Sequence, residues 1–424
     1  MLENISNKGG NSSIRLNNII GSLIEKYNAS RVKEIVYYIL FSIVYVRAFY
    51  YTTMFTELVQ NNRIINWVGY GAAGCLLIMA IGEIITLILD RDIRTALLLS
   101  FLLGIGFISA ISSTDRGIIV LCVLLVASVG KDMKTIIRIS IVFGAFMMLL
   151  SYFASIWGYI PYLVYNRSRG ELYHAFGSIY RTDFAAHILY IIMSYLWLRR
   201  EKINSFEYVG VWVLTWFCWR YTGAKNDVFC LILLLTSFAF MKINWLRRRE
   251  WLQFPRWSCL SHILCAIGVF IAVLFYGNKD VAVDTVEGTE TFMSRFMYSM
   301  EAIKIYGFSL FGKAVEERGA GGIADISKAY FFLDIAYIRI LIKYGILFLI
   351  IYLVLMTMNS YYAAVSGDSI LVLILSVIAI NSLAEHHSIE FCYNVFWVTG
   401  MTLISKRRSK NNTRGGTDKI ALIN

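Results

Sequence analysis

Residues 64–89 read IINWVGYGAAGCLLIMAIGEIITLIL, an apolar run in which Glu83 is the only charged residue. A helix needs about 17–25 such residues to cross the hydrocarbon layer of a bilayer, so this stretch is expected to span a membrane. The charged turn Asp90-Arg91-Asp92-Ile93-Arg94 follows at once. The pattern repeats outward in both directions. Largely uncharged stretches cover approximately 35–57, 95–112, 116–130, 135–158, 183–198, 207–221, 227–241, 259–276, 330–356, 369–384 and 390–405. The expected fold is therefore all-α, a polytopic integral membrane protein with about 12 transmembrane helices.

Composition agrees. Of 424 residues, 58% are apolar and 16% charged, against about 45–50% and about 25% in soluble domains. A soluble chain of this length has too little interior to hide that much apolar surface. A soluble enzyme, a nucleic-acid binder (despite the net charge of +12) and a secreted disulfide scaffold are excluded. The seven cysteines lie in or beside apolar spans and form neither a CxxC pair nor a cluster with histidine.

The basic residues orient the chain. With the N-terminus cytoplasmic, 24 of the 40 Lys and Arg fall on the inner side, among them the tight clusters Arg199-Arg200, Arg247-Arg248-Arg249 and Arg407-Arg408. The expected organisation is a cytoplasmic segment 1–33, a single transmembrane domain 34–405 and a basic cytoplasmic tail 406–424. Within the first segment, Leu16, Ile19, Ile20, Leu23, Ile24 and Tyr27 recur with helical spacing. They read as an amphipathic helix in the membrane interface or, alternatively, as a frayed tail.

Two outer loops are long, 159–182 and 277–329. The second lies between spans nine and ten and is expected to be partly helical, because Phe292, Phe296, Met297, Met300, Ile303 and Tyr306 repeat at helical spacing before Gly307. Cations on this side run against the topology rule. Arg167, Arg169 and Arg181 lie in or beside the first loop, Arg220 and Lys225 in a short turn, and Arg295, Lys304, Lys313 and Arg318 in the large loop. Arginine grips phosphate oxygens through two parallel N–H bonds and lysine acts as a point charge, so this set suits a phosphate-bearing substrate; the alternative is scattered solvated charge.

Acid–base candidates cluster in Glu385-His386-His387-Ser388-Ile389-Glu390. Adjacent histidines on a helix point about 100° apart and rarely share one ion. General-base action, hydrogen bonding to an acceptor hydroxyl, or a plain polar boundary are the readings weighed against a metal site. Asp334 and Tyr337 stand near the outer end of the tenth span, with Arg339 and Lys343 deeper on one face. A continuous helix would place Arg339 about 14 Å down. Arg47 lies at comparable depth in the first span. Buried charge of this kind should face a polar cavity or a partner, and an anionic headgroup is one candidate. No partner for Glu83 can be named. Walker A, GxGxxG and GxSxG patterns are absent.

Five pieces, in order, resemble Wzy-type polysaccharide polymerases and, more broadly, the bacterial O-antigen polymerase and ligase superfamily. They are Gly177-Ser-Ile-Tyr-Arg181-Thr-Asp183-Phe184, Arg220-Tyr-Thr-Gly-Ala-Lys225-Asn-Asp227, Arg295-Phe296 with Leu310-Phe311-Gly312, Asp334-Ile-Ala-Tyr337 through Tyr344-Gly345, and Glu385 with Glu390-Phe-Cys-Tyr393-Asn394-Val-Phe396. Many members carry a His-Pro-Asn motif where this chain has Tyr180-Arg181-Thr182-Asp183-Phe184, which shifts attention to Arg181 and Asp183.

The resemblance implies a C-type-glycosyltransferase-like membrane fold in a bacterial plasma membrane, with both termini cytoplasmic. It implies transfer of a glycan from an undecaprenyl-diphosphate donor to another lipid-linked repeat unit at the outer face, without metal or other cofactor. A chain-length regulator and a flippase are the implied protein partners. The residues it brings forward are Glu385, His386, Asp334 and Asp183 for catalysis, and Arg181, Arg220, Lys225, Arg295, Arg339, Tyr337, Tyr393 and Asn394 for diphosphate and glycan. A ligase acting on a different acceptor is the nearest alternative, and a twelve-span lipid-linked-oligosaccharide flippase or transporter is the alternative of another class.

Overall fold

The computed structural model describes residues 30–58, 63–166, 170–278, 292–319, 321–322 and 330–401. The expected amphipathic helix at 16–27, the basic tail 406–424, the acidic start of the large loop, and Arg167 and Arg169 lie outside these residues. What is described is almost wholly helical. Helix α1 covers residues 30–50, followed by α2 (Phe55–Leu58), α3 (Arg63–Leu89), α4 (Ile93–Ser113), α5 (Gly117–Ala127) and α6 (Met133–Ile156). A small antiparallel ribbon, β1 (Val164–Asn166) with β2 (Leu172–His174), pairs Tyr165 with Tyr173. Then come α7 (Arg181–Arg199), α8 (Ser205–Phe217), α9 (Lys225–Arg248), α10 (Ser261–Tyr276), α11 (Phe292–Tyr306), α12 (Ala336–Arg339), α13 (Ile346–Val365) and α14 (Ser369–Asn381).

Six helices among the described residues are long and apolar enough to cross a membrane: α3, α4, α6, α9, α10 with its preceding turn from Arg256, and α13. Four of them turn Ile78, Leu98, Val142 and Phe240 outward, as lipid-facing helices do. The chain is a helical membrane protein.

Several expected spans are shorter or broken. The stretch 116–130 holds an 11-residue helix and 369–384 a 13-residue one. The expected span 330–356 is not continuous: the chain runs irregularly to Ile335, makes α12 and a π turn, Ile340–Tyr344, and breaks at Gly345 before α13 begins. Gly345 has φ +93°, and a Cβ there would lie 2.4 Å from Leu310 O and Gly312 N, so only glycine lets the loop pack on this bend. The start of the expected twelfth span, 390–398, is two turns rather than a helix.

The two ends of the bundle are built differently. At one end buried or half-buried ion pairs tie helix termini: Glu83 meets Lys33 at 2.9 Å and Lys131 at 3.2 Å, Arg199 meets Glu207, and Arg200 meets Asp368. The missing partners of Glu83 are thus lysines 50 and 48 residues away in the chain. At the other end the loops bond to one another. Met54 N donates to Gly177 O, Ile179 N to Thr52 O, Gly322 N to Ile179 O and Lys313 N to Ile342 O. This loop-rich end carries the site.

Candidate functional site

The site forms where a helix stops early. Asp368 caps the start of α14 by accepting from Leu371 N, and the helix ends at Asn381. The Asn381 amide donates to Asp227 Oδ1 at 2.9 Å, while Asn226 donates to the Asn381 carbonyl at 3.2 Å, so the first turn of α9 holds the end of α14. The chain then runs irregularly through 382–398, buried, and its own side chains satisfy its backbone. Asn394 and Trp397 both donate to Ser388 O, Asn394 accepts from Phe396 N, and Ser382 bonds Ser388 at 2.7 Å. Non-helical backbone is tolerated at membrane depth only with such internal partners.

Onto this segment falls Arg295, from α11. Its Nη1 donates to the Ala384 carbonyl and, at 3.0 Å, to Glu385 Oε1, and its Nε lies 3.5 Å from Asp334 Oδ2. One guanidinium therefore joins the large loop, the irregular segment and the stretch before α12. All three side chains are at most 12% exposed. The second oxygen of Glu385 lies 3.8 Å from His387 Nε2, which in turn is 4.0 Å from Asp183 Oδ1. Asp183 uses its other oxygen to cap α7, accepting from Tyr180 N at 3.3 Å. His386 Nε2 sits 3.1 Å from Glu390 Oε1.

His386 and His387 were expected 100° apart on a helix. The chain instead makes a tight turn at His387–Ile389, and the two rings lie 4.5 Å apart. Burial pushes both imidazoles well below the usual histidine range, reinforced for His386 by Arg339 and for His387 by His386, so both are neutral. One ligand atom from each of Glu385, His386 and His387 falls within a 4.8 Å group, and these three could hold a metal ion. Beneath them His187, bonded to Thr52 at 2.8 Å, is stacked between Phe49 and Tyr393.

Arg339 and Lys343 form a second cluster. Expected deep in a continuous span, they lie at the loop-rich end because the chain becomes helical only at Ala336 and bends again at Gly345. Arg339 bonds Glu317 Oε1 at 2.6 Å, and Lys343 meets Glu317 Oε2 and Asp115 Oδ2, each at 3.1 Å. Tyr344 donates to Asp115 at 2.8 Å. Two cations face two carboxylates here. Burial alone would raise the Asp115 carboxyl, but the Lys343 ammonium and the Tyr344 hydroxyl hold it below its usual range.

The remaining expected residues divide. Arg181 opens α7, donates to the Thr222 and Gly223 carbonyls at 2.9 and 3.0 Å, and lies over the Tyr173 ring. Arg220 lies over Tyr221 and is exposed, as is Lys225 at the start of α9. These three mark one cationic rim. Tyr393 is buried beside His187 and His387. Asn394 is taken up by the backbone bonds described above. Tyr337 is buried in the helix packing, its hydroxyl donating to Ala379 O at 3.2 Å, 3.3 Å from His262 Nδ1.

The structure therefore gathers Arg295, Glu385, Asp334, Asp183 and His386 into one neighbourhood. It adds His387, an acid–base candidate in the sequence that the resemblance did not bring forward, and Asp227, which the sequence showed only within a motif. Glu317 and Asp115 carried no signal, being ordinary loop acids far from their partners in the chain. Compared with known proteins, the chain matches no family model, no curated protein and no solved structure.

Proposed function

We propose that this protein joins undecaprenyl-diphosphate-linked oligosaccharide units into a surface polysaccharide at the outer face of a bacterial plasma membrane. The reading rests on the residue resemblance. The observation that carries it furthest is the pairing of Arg295 with Glu385 and Asp334, next to two neutral histidines and beside the Arg181, Arg220 and Lys225 rim.

Glycosyl transfer needs two things. A group must orient the acceptor hydroxyl and take its proton as the new C1–O bond forms, and fixed positive charge must meet the diphosphate as the old bond breaks. Glu385, with Asp334, Asp183 and His386 around it, supplies the first. Arg295 is occupied by carboxylates, so its role in this proposal is to hold Glu385 in place and offset its charge. Arg181, Arg220 and Lys225 supply the second. The loop-rich end then faces outward, as the basic clusters at the opposite end favour.

Purified protein given a lipid-linked repeat unit should build a ladder of polymer. Arg295→Ala and Glu385→Gln should each abolish it, Arg220→Ala should weaken it, and a chelator should leave it unchanged. Full activity in both Arg295→Ala and Glu385→Gln would reject the site, and no polymer from the native chain would reject the reaction.

A further inference from the structure

Arg47 and Arg339 look alike in the sequence, both intramembrane cations in want of a partner. Arg339 has Glu317. Arg47 has no ion pair with any described carboxylate; its guanidinium gives a hydrogen bond to the neutral Asn66 at 2.8 Å, and its buried Nε has no partner. Yet the residue is firmly placed. It lies over Tyr70 at 4.2 Å and against Tyr51 at 5.0 Å, and Tyr51 bonds the same Asn66 oxygen at 2.8 Å. Its stem crosses α3 at Gly69, where a Cβ would lie 1.8 Å from Arg47 Cδ. A second guanidinium, that of the exposed Arg116, faces the same Tyr70 ring at 5.8 Å and likewise has no ion pair among the described residues.

Two guanidiniums thus face the Tyr70 ring, and neither has a counter-charge among the described residues. A partly buried guanidinium without a counter-charge, packed on a spanning helix, is poorly compensated. Both facts call for a ligand, and position says which kind. Arg47 is three residues from the loop-side end of α1, roughly 4.5 Å below it. Next to Asn66 on α3, Ile64 and Trp67 are each 78% exposed on the outside of the bundle, the placement of an interfacial tryptophan. The anion available at that depth is a lipid phosphate, whose oxygens match the arginine fork.

We infer that Arg47 and Arg116, framed by Tyr51, Asn66 and Tyr70, bind the phosphate group of a lipid at the membrane-facing rim of the loop-rich end. The lipid is either a bilayer phospholipid or a polyprenyl diphosphate. The site does not depend on the glycosyl-transfer reading, and its test measures binding alone.

The full chain, purified in detergent, is titrated with short-chain phosphatidylglycerol and with farnesyl diphosphate, and binding is followed by native mass spectrometry. Arg47→Gln should weaken binding about tenfold. Gly69→Ala, which keeps the charge but displaces the stem, should do the same, and Arg249→Gln at the opposite end should change nothing. Loss confined to phosphatidylglycerol identifies a bilayer lipid, and loss confined to farnesyl diphosphate identifies a polyprenyl chain. Should Arg47→Gln fail to yield folded protein, exposed Arg116→Gln carries the test with a loss of a few-fold. Unchanged binding of both probes in the folded variant, or an equal loss in Arg249→Gln, overturns the inference.

Discussion

Arg295 Nη1 and Glu385 Oε1 lie 3.0 Å apart although 90 residues separate them in the chain. The pair fastens a loop helix to an irregular segment, and both side chains are nearly buried. Breaking such a pair leaves an uncompensated charge in a place that water barely reaches. Arg295→Gln and Glu385→Gln should each destabilise the protein by about 3–5 kcal/mol. The double variant should cost clearly less than the sum, with a coupling of about 1–3 kcal/mol. Thermal unfolding of the four proteins in detergent measures this, and strictly additive losses would mean the contact is not formed.

Glu317 is the common partner of Arg339 and Lys343. Glu317→Gln should strand Arg339, leave Lys343 with Asp115 alone, and release the loop strand from α12, since Leu333 N also bonds this carboxylate. Limited proteolysis should cut between residues 307 and 319 several times faster than in the native chain. Asp115→Asn, which leaves Lys343 its second partner, should have the smaller effect. Equal cleavage rates in all three proteins would argue against the clamp.

His386 and His387 each contribute a pH dependence whose sign is fixed. Both folded values lie well below the unfolded histidine value of about 6.5. Above that pH neither state binds the protons and stability is level. Below it the unfolded chain takes them up and the folded chain does not, so stability falls as pH drops, by up to about 1.4 kcal/mol per pH unit for each histidine. Melting temperatures should be flat from pH 8 to 7 and decline toward pH 5, less steeply in His387→Asn. A profile unchanged by His387→Asn would place the titration elsewhere.

Sidedness is open to direct chemistry. In a variant without the seven cysteines, Lys225→Cys should react with a membrane-impermeant maleimide in intact cells, and Arg249→Cys only after permeabilisation. Both positions are exposed and they bracket α9. The reverse pattern would turn the loop-rich end inward and remove the proposed reaction from the outer face.

Much of the fold was legible because spanning helices announce themselves. Residues 64–89 form α3 nearly as expected, and α4, α6 and α9 follow the same rule. The helical spacing from Phe292 to Tyr306 became α11. The rule failed where apolar residues do not make a continuous helix. The stretches 330–356 and 390–398 read as parts of spans, but Gly345 bends one, and the side chains of Asn394 and Trp397, bonded to the Ser388 carbonyl, hold the other in turns. Hydropathy counts transfer to lipid and cannot register a buried bend whose hydrogen bonds are met by side chains.

For the site, the sequence by itself determined which groups were available: a cationic set on the loop side, and an unusual acid–histidine run at Glu385–Glu390. It could not decide which charges are compensated, because compensation depends on contacts between residues far apart in the chain. Arg47 and Arg339 show this best, two intramembrane arginines with the same local reading. Only the tertiary structure brings Glu317 to Arg339 and leaves Arg47 caged by neutral side chains. The cost of a buried charge falls with distance to its counter-charge, and that distance is set by the fold.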